Sequence, residues 1–301
     1  MTMEKLTSQR GGAGCLPVAT YIDAAMDRAR REDRQALDGL SIGFPSIDVC
    51  TSGLRIGSLN IIAGRPAMGT TSLALNIAQN MALKQKLPVA IFSLKNPGND
   101  IAERLLVAAS RIDRGRLVRG LLDAHDRAAL EGACRQLGAA PIHIDEASFS
   151  LMEISEECRR LTDRLGCIGL VVIDPLQILV DAETGNRSAH DVIAGIKSLA
   201  QDIEAPVLVT TTVSRRVENR KGERRVPGLT DLPEYSSLAE LADLVLAVYR
   251  EEYYKLGKLN AGEAFVHVLR DRFRGGIVGG IRLQFDGSCA SFSELGKPPS
   301  V

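Results

Sequence analysis

The sequence predicts an α/β fold, a mainly parallel central sheet flanked by helices with an antiparallel extension at the C-terminal end. Three observations carry this reading. Runs such as Leu59–Ala63, interrupted only by Asn60, and Ile168–Ile173 are apolar rather than alternating, the pattern of strands buried on both faces. Helix-length stretches with apolar residues at helical spacing separate these runs. The last three runs, Leu244–Tyr249, Ala264–Leu269 and Ile277–Phe285, have no helix-length gap between them and therefore pair as the extension.

Taken in order, residues 1–16 are polar and glycine-rich (Gly11, Gly12, Gly14) and are expected to form a flexible arm. Residues 17–38 are expected to form a linker helix. Val18, Ile22, Ala25, Met26 and Ala29 make one apolar stripe, and Pro17 suits a first helical turn. This helix packs either on its own domain or on a neighbouring subunit, and the residues alone do not choose. Residues 39–296 form the main domain and 297–301 a tail. Within the domain, strands are predicted at 59–63, 88–94, 141–144, 168–173 and 206–211, with helices at 71–86, 101–110, 124–137, 151–165 and 190–203.

Composition excludes several classes. Lysine plus arginine and aspartate plus glutamate both number 37, so no global field favours nucleic acid or a membrane and any basic site is local. Aromatic residues make up 4% and tryptophan is absent, which argues against broad stacking platforms for single strands. The cysteines are scattered, with no zinc-knuckle spacing, and are expected to be reduced thiols. No apolar run approaches the roughly 20 residues needed to span a bilayer, and the N-terminus lacks a signal-peptide core. A cytoplasmic protein with no membrane partner is expected.

The most informative segment is Gly64-Arg65-Pro66-Ala67-Met68-Gly69-Thr70-Thr71-Ser72. It follows an apolar strand and opens a helix. A phosphate-binding loop asks for glycine, four residues, glycine, lysine and then serine or threonine. Every position fits except Thr70, where lysine is called for. Backbone N–H groups at such a helix start hold phosphate oxygens, so all nine residues are candidate nucleotide contacts. Thr71 is placed to ligate Mg²⁺. A second element, Val171-Val172-Ile173-Asp174, delivers an aspartate at a strand end, the usual partner for that metal in such loops.

Two basic segments stand apart from these. Residues 214–225 carry Arg215, Arg216, Arg220, Lys221, Arg224 and Arg225 against Glu218 and Glu223. They form either a solvated loop or a set of phosphate-backbone contacts to nucleic acid. Arg270, Arg272 and Arg274 lie beside Gly275 and Gly276, and form either a charged turn or an arginine finger for a neighbour's nucleotide.

Taken together these pieces resemble the C-terminal motor domain of the DnaB-type replicative helicases, a RecA-like P-loop fold. The resemblance runs from about residue 18 to 293. It includes GLSIGFPSID at 39–48, GRPAMGTTS at 64–72, FSLKNP at 92–97, VVIDPLQIL at 171–179, DLPEYSSLAELADLVLAVYR at 231–250 and RFRGGIVGGIRLQF at 272–285. It implies ATP and Mg²⁺ as ligands, single-stranded DNA as a partner, and a homo-oligomeric or mixed helicase ring in which the 17–33 helix packs on the next subunit. It also assigns Arg274, less strongly Arg272, a role in trans, and places Glu234 among the DNA-backbone contacts.

Departures from the family pattern fall on the chemistry. Thr70 replaces the loop lysine. Lys95 stands where the family's FSLEM segment supplies a water-activating glutamate, and Thr212 stands where it carries a γ-phosphate-sensing glutamine. The family's RESG stretch reads Pro233-Glu234-Tyr235-Ser236. Losing the ammonium removes a charge-assisted contact worth roughly 1.5–3 kcal/mol. Losing the carboxylate removes general-base help worth roughly 10²–10⁴-fold. The expectation is a protein that binds nucleotide weakly or not at all and hydrolyses it near background, with a regulatory or structural place in a ring. Two rival readings are an active helicase using rearranged residues and a nucleotide-independent DNA-binding scaffold. Lys95 is either a replacement for the missing cation or a surface lysine on a dead site.

Overall fold

The computed structural model describes residues 37–183, 185, 188–220, 225–232, 236–254, 262–274 and 278–295, together with Val18, Ile22 and Met26. The chain divides into two compact units, Met1–Asp38 and Gly39–Val301. In the first, Val18, Ile22 and Met26 are helical and exposed, so the predicted stripe keeps its helical spacing there. Leu37 and Asp38 are not helical, which ends the expected 17–38 helix before Leu37. The 1–16 arm, the remainder of that helix and the 297–301 tail lie outside the described residues.

Among the described residues, the second unit holds nine strands: β1 Leu59–Gly64, β2 Val89–Ser93, β3 Ile142–Asp145, β4 Leu170–Asp174, β5 Val207–Thr212, β6 Leu244–Tyr249, β7 Glu263–Asp271, β8 Val278–Asp286 and β9 Ser291–Glu294. They form one sheet in the order β3-β2-β4-β5-β1-β6-β7-β8-β9. The neighbours from β3 to β6 pair in parallel and those from β6 to β9 antiparallel. The helices are α1 Pro45–Thr51, α2 Thr70–Lys84, α3 Gly98–Ser110, α4 Arg114–Val118, α5 Ala124–Gly138, α6 Leu151–Leu165, α7 Leu176–Glu183, α8 Ala189–Asp202 and α9 Ser236–Leu241.

Strand residues alternate between two cores, one on each face of the sheet. Leu59, Ile61 and Ala63 of β1 pack with α6, α7 and α8 on one face. Ile62 packs on the other with α2, α3 and the apolar side of β7 and β8. This is why the central parallel strands are mostly apolar, whereas β7 alternates Ala264, Val266 and Val268 inward with half-exposed residues between them. Helix starts are set locally. Ser150 with Glu153, and Ser188 with Asp191, close capping boxes at α6 and α8.

Three elements that patterning did not single out explain themselves in contacts. In α1 the Asp48 carboxylate is buried, accepting from Ser41 Oγ at 2.6 Å and Ile42 N at 2.9 Å, so its core face looks polar in sequence. Helix α7 follows β4 after only Pro175, and its Leu176, Leu179 and Val180 extend the apolar run of the strand. Strand β9 is short and polar. It is held from outside, where Phe292 N donates to Asn76 Oδ1 at 2.7 Å and the Phe285 and Phe292 rings meet at 4.6 Å.

Register levels the C-terminal ends of the parallel strands. Gly64 pairs with Thr212, and Ser93 with Asp174. Ligands in such sheets bind at that edge, where the strand order reverses direction. Loops leaving β1, β2, β4 and β5 therefore meet at one place.

Candidate functional site

The loop 64–69 turns from β1 into α2. Gly69 has φ +97°, a left-handed conformation at the helix cap, and a Cβ there would lie 2.9 Å from Phe292 Cζ. Glycine is required on both counts. Ala67 also has positive φ, 68°, an uncommon state for a residue with a side chain and one that keeps the turn tight. No side chain caps the start of α2. Its first amide groups are thus left for an anion, reinforced by the helix dipole.

Opposite this start stands Asp174, 4% exposed, at the end of β4. Thr71 Oγ1 lies 3.0 Å and 3.1 Å from its two carboxylate oxygens, and Thr210 Oγ1 donates to it from β5. Burial pushes the carboxyl up from its usual range. The two hydroxyls, followed by the charges of Arg104 and Lys95, act against that rise. Asp174 and Thr71 are a hard-oxygen pair of the kind that holds Mg²⁺ together with phosphates and water. Among the described residues no cluster of three metal-ligating side chains exists. The pair suits a shared ion and does not form an all-protein cage.

These groups line a cavity of about 510 Å³ together with Pro66, Ala67, Gly69, Thr70, Ser72, Lys95, Asn96 and Arg104. Thr212 and Arg250 border it as well. Asp174 is the only carboxylate among the described lining residues. A second cavity of about 540 Å³ adjoins it, sharing Arg250, Phe285 and Gly287. A cavity of this size with three cations, open helix amides and a buried carboxylate can hold a polyanion with its metal.

Of the predicted nucleotide contacts, Pro66, Ala67, Gly69, Thr70, Thr71, Ser72 and Asp174 come together here. Met68 is 1% exposed and packs into the core. Gly64 closes β1, and the Thr70 methyl carbon would sit 2.7 Å from a Cβ at that position. Arg65 points elsewhere. Its Nη1 donates to Val213 O at 2.8 Å and its Nε to Glu218 at 2.7 Å. Its side chain therefore ties the loop to the following segment and is not part of the cavity lining.

The basic segment divides the same way. Arg215 and Arg216 are exposed on a 3₁₀ turn, Arg215–Asn219. Arg220 forms a two-pronged pair with buried Asp231, and Arg225 donates to Arg220 O at 2.6 Å and stacks 4.6 Å from the Tyr254 ring. Those two arginines hold the fold. Lys221, Arg224 and Glu234 lie outside the described residues. The candidate fingers also have partners in the chain. Arg272 reaches Asp243 Oδ1 at 3.5 Å, and Arg274 Nη1 donates to Val49 O at 2.5 Å.

Sequence reasoning missed Arg104, Arg250 and Thr210. Arg104 sits on α3 and its Nε is buried with no hydrogen-bond partner among the described residues. Arg250 donates to Ala67 O at 3.1 Å, pairs with Glu252 and stacks 4.2 Å from the Phe285 ring. Neither carries a local signal. One is an ordinary arginine on an amphipathic helix and the other ends a strand far from the loop in sequence.

Comparison with known proteins gives a consistent answer. A family model described as the DnaB-like helicase C terminal domain matches residues 39–294. A probable replicative DNA helicase of Trieres chinensis is 36% identical over 268 residues, 87% of this chain and 58% of that protein. The replicative DNA helicase DnaB of Geobacillus stearothermophilus is 35% identical over 254 residues, 83% of this chain and 55% of the relative. The chain thus spans less than two thirds of the length of these relatives. Among solved structures, a DnaB-like replicative helicase, described together with its interactions with primase, superposes with a TM-score of 0.83 at 26% identity, over 91% of this chain and 67% of that one. A KaiC-like protein of Pyrococcus horikoshii OT3, at TM-score 0.57 and 13% identity over 84% and 97% of the two chains, shares the fold. The fold agrees with these matches, and the chain belongs to the DnaB-like helicase C-terminal domain family.

Proposed function

We propose that this chain acts in DNA replication as a DnaB-like ring subunit that binds ATP and Mg²⁺ weakly and hydrolyses the nucleotide little or not at all. It takes a regulatory or structural place in a helicase ring, either with copies of itself or mixed with an active helicase, near single-stranded DNA. One observation carries the reading. The cavity that would hold the triphosphate has a single described carboxylate, Asp174, and that group is engaged by Thr71 and Thr210 at the metal position.

Each residue then has a definite task. The amides opening α2 receive phosphate oxygens, and Thr71 with Asp174 holds the metal, which when bound neutralises phosphate charge. Arg104 and Lys95 add positive charge from the facing side. No described side chain in the cavity is free to take a proton from water. General-base assistance, worth roughly 10²–10⁴-fold, is therefore missing. Exposed Arg215 and Arg216 supply phosphate-backbone contacts to DNA, with a salt dependence that follows from counterion release.

The test pairs two measurements on the purified chain. A non-hydrolysable ATP analogue with Mg²⁺ is expected to raise the unfolding temperature, while phosphate release with single-stranded DNA stays near background. Brisk release that Asp174→Ala abolishes supports a working motor and overturns the proposal. No thermal shift at any nucleotide concentration supports a nucleotide-independent scaffold and overturns it equally.

A further inference from the structure

We propose that the cation which grips the terminal phosphates has moved from the loop to the facing strand end, so that Lys95 holds what a lysine at position 70 would hold. This rests on the reading that the cavity takes a nucleoside triphosphate.

Four observations support the transfer. First, position 70 has no charge to offer, and its methyl carbon packs toward Gly64 at the end of β1. Second, Lys95 follows β2 directly and lines the same cavity as the loop. Its backbone is fixed on both sides, because Leu94 N donates to Asp174 O at 2.9 Å and Ser93 Oγ donates to Asn96 O at 2.7 Å. The ammonium is therefore presented from a rigid base.

Third, the remaining cations of the cavity differ in availability. Arg250 is occupied by Glu252, by the Ala67 carbonyl and by the Phe285 ring. Lys95 is exposed, and it forms no ion pair among the described residues. Fourth, Arg104 places a buried, unpartnered Nε in the same lining. An unsatisfied cationic donor is costly unless a ligand completes it. The protein thus keeps two positive charges without an ion pair among the described residues on the side facing the loop, whereas the loop's own cation, Arg65, is paired with Glu218. A polyanion bound to the α2 amides would meet its countercharge there.

The exchange also separates binding from cleavage. An ammonium at position 95 attracts phosphate but has no lone pair with which to accept a proton from water while charged. One substitution site thereby supplies the grip and leaves the cavity without a base.

The experiment is equilibrium binding of a fluorescent non-hydrolysable ATP analogue with Mg²⁺ to the full chain, against the corresponding ADP. Lys95→Ala is expected to weaken the triphosphate about ten- to a hundredfold, the span of one charge-assisted contact. Diphosphate binding should change by less than about threefold. Lys95→Arg should retain most of the affinity. Adding Thr70→Lys to Lys95→Ala should recover at least about tenfold of the loss. Apo unfolding temperatures control for folding, and exposed Lys95 makes a change there unexpected. If the unaltered chain binds and Lys95→Ala binds equally well, the inference alone is overturned. If the unaltered chain binds neither nucleotide, the nucleotide reading falls and takes the inference with it.

Discussion

The strut from the loop to the basic segment gives the sharpest prediction about how this chain is held together. Arg65 leaves the loop, buries its guanidinium to 8% side-chain exposure, and divides its donors between Val213 O and Glu218. Glu218 is 37% exposed, so water softens its side of the pair and its worth is discounted accordingly. Glu218→Ala strands Arg65 Nε in a nearly dry site but leaves the Val213 bond, for an expected loss of about 1–2 kcal/mol. Arg65→Ala removes both bonds and the packed stem, and orphans a buried carbonyl, for about 2–4 kcal/mol.

The double variant separates a strut from two independent surface effects. If the residues act through each other, Arg65→Ala with Glu218→Ala costs little more than Arg65→Ala alone, a coupling of about 1 kcal/mol. Glu218→Gln, which keeps an acceptor, should cost less than half of Glu218→Ala. Urea unfolding at constant slope reads these differences, and heat would show about 2–4 °C per kcal/mol for a domain of this order of size. Additive losses within about 0.3 kcal/mol, or no loss for Arg65→Ala, would refute the strut and leave Arg65 available to the phosphate site.

Three further outcomes follow from local chemistry. Asn76→Ala removes the acceptor for Phe292 N inside the core and should cost about 1–3 kcal/mol, with amide exchange rising selectively across β9. Cys134 is exposed whereas burial pushes the Cys158 thiol up to about 12, so a thiol reagent at neutral pH should label Cys134 and spare Cys158 until the chain unfolds. Burial lowers the His267 pKa, so the unfolded chain binds the extra proton first as pH falls through the ordinary histidine value near 6.5; stability should decline across that window, and His267→Phe should flatten the decline.

What was legible in the sequence is what packing enforces. Strands β1, β4 and β6 were visible because both their faces are buried and nearly all their residues are apolar. Helix α6 was visible to the residue because Ser150, Glu153 and Gly166 mark its ends. The same logic fails for α7, which continues an apolar run without changing its composition, and for β9, whose residues are ordinary and whose place is set by Asn76. At the site, Thr71 and Asp174 were legible because loop and strand end each carry a local signature. Arg104 and Arg250 were not, because only the folded sheet brings them to the cavity. The direction of the Arg65 side chain was not legible for a related reason. Its backbone belongs to the loop pattern, but its side chain answers to Glu218 far along the chain.

The scaffold and the cavity lining are therefore written in different residues, so the lining can change while the sheet stays intact. Residues that build the sheet are buried, and a change there costs about 1–5 kcal/mol through cavities or unpaired polar groups. Lys95 and Thr212 are exposed to the cavity and bear little of that load. Thr70 is intermediate in burial, with its methyl turned toward Gly64. Substitutions at these places are expected to change what the cavity offers a ligand with little effect on folding. The converse should hold. Thr70→Lys with Lys95→Glu is expected to shift the unfolding free energy by no more than about 1 kcal/mol, since neither residue anchors the core. Phosphate release by that double variant should rise well above the unaltered chain, because an ammonium returns to the loop and a carboxylate to the water side. An unchanged rate in a variant that folds and binds nucleotide would mean that positions 70 and 95 do not set it, with Thr212 at the end of β5 as the next position to exchange.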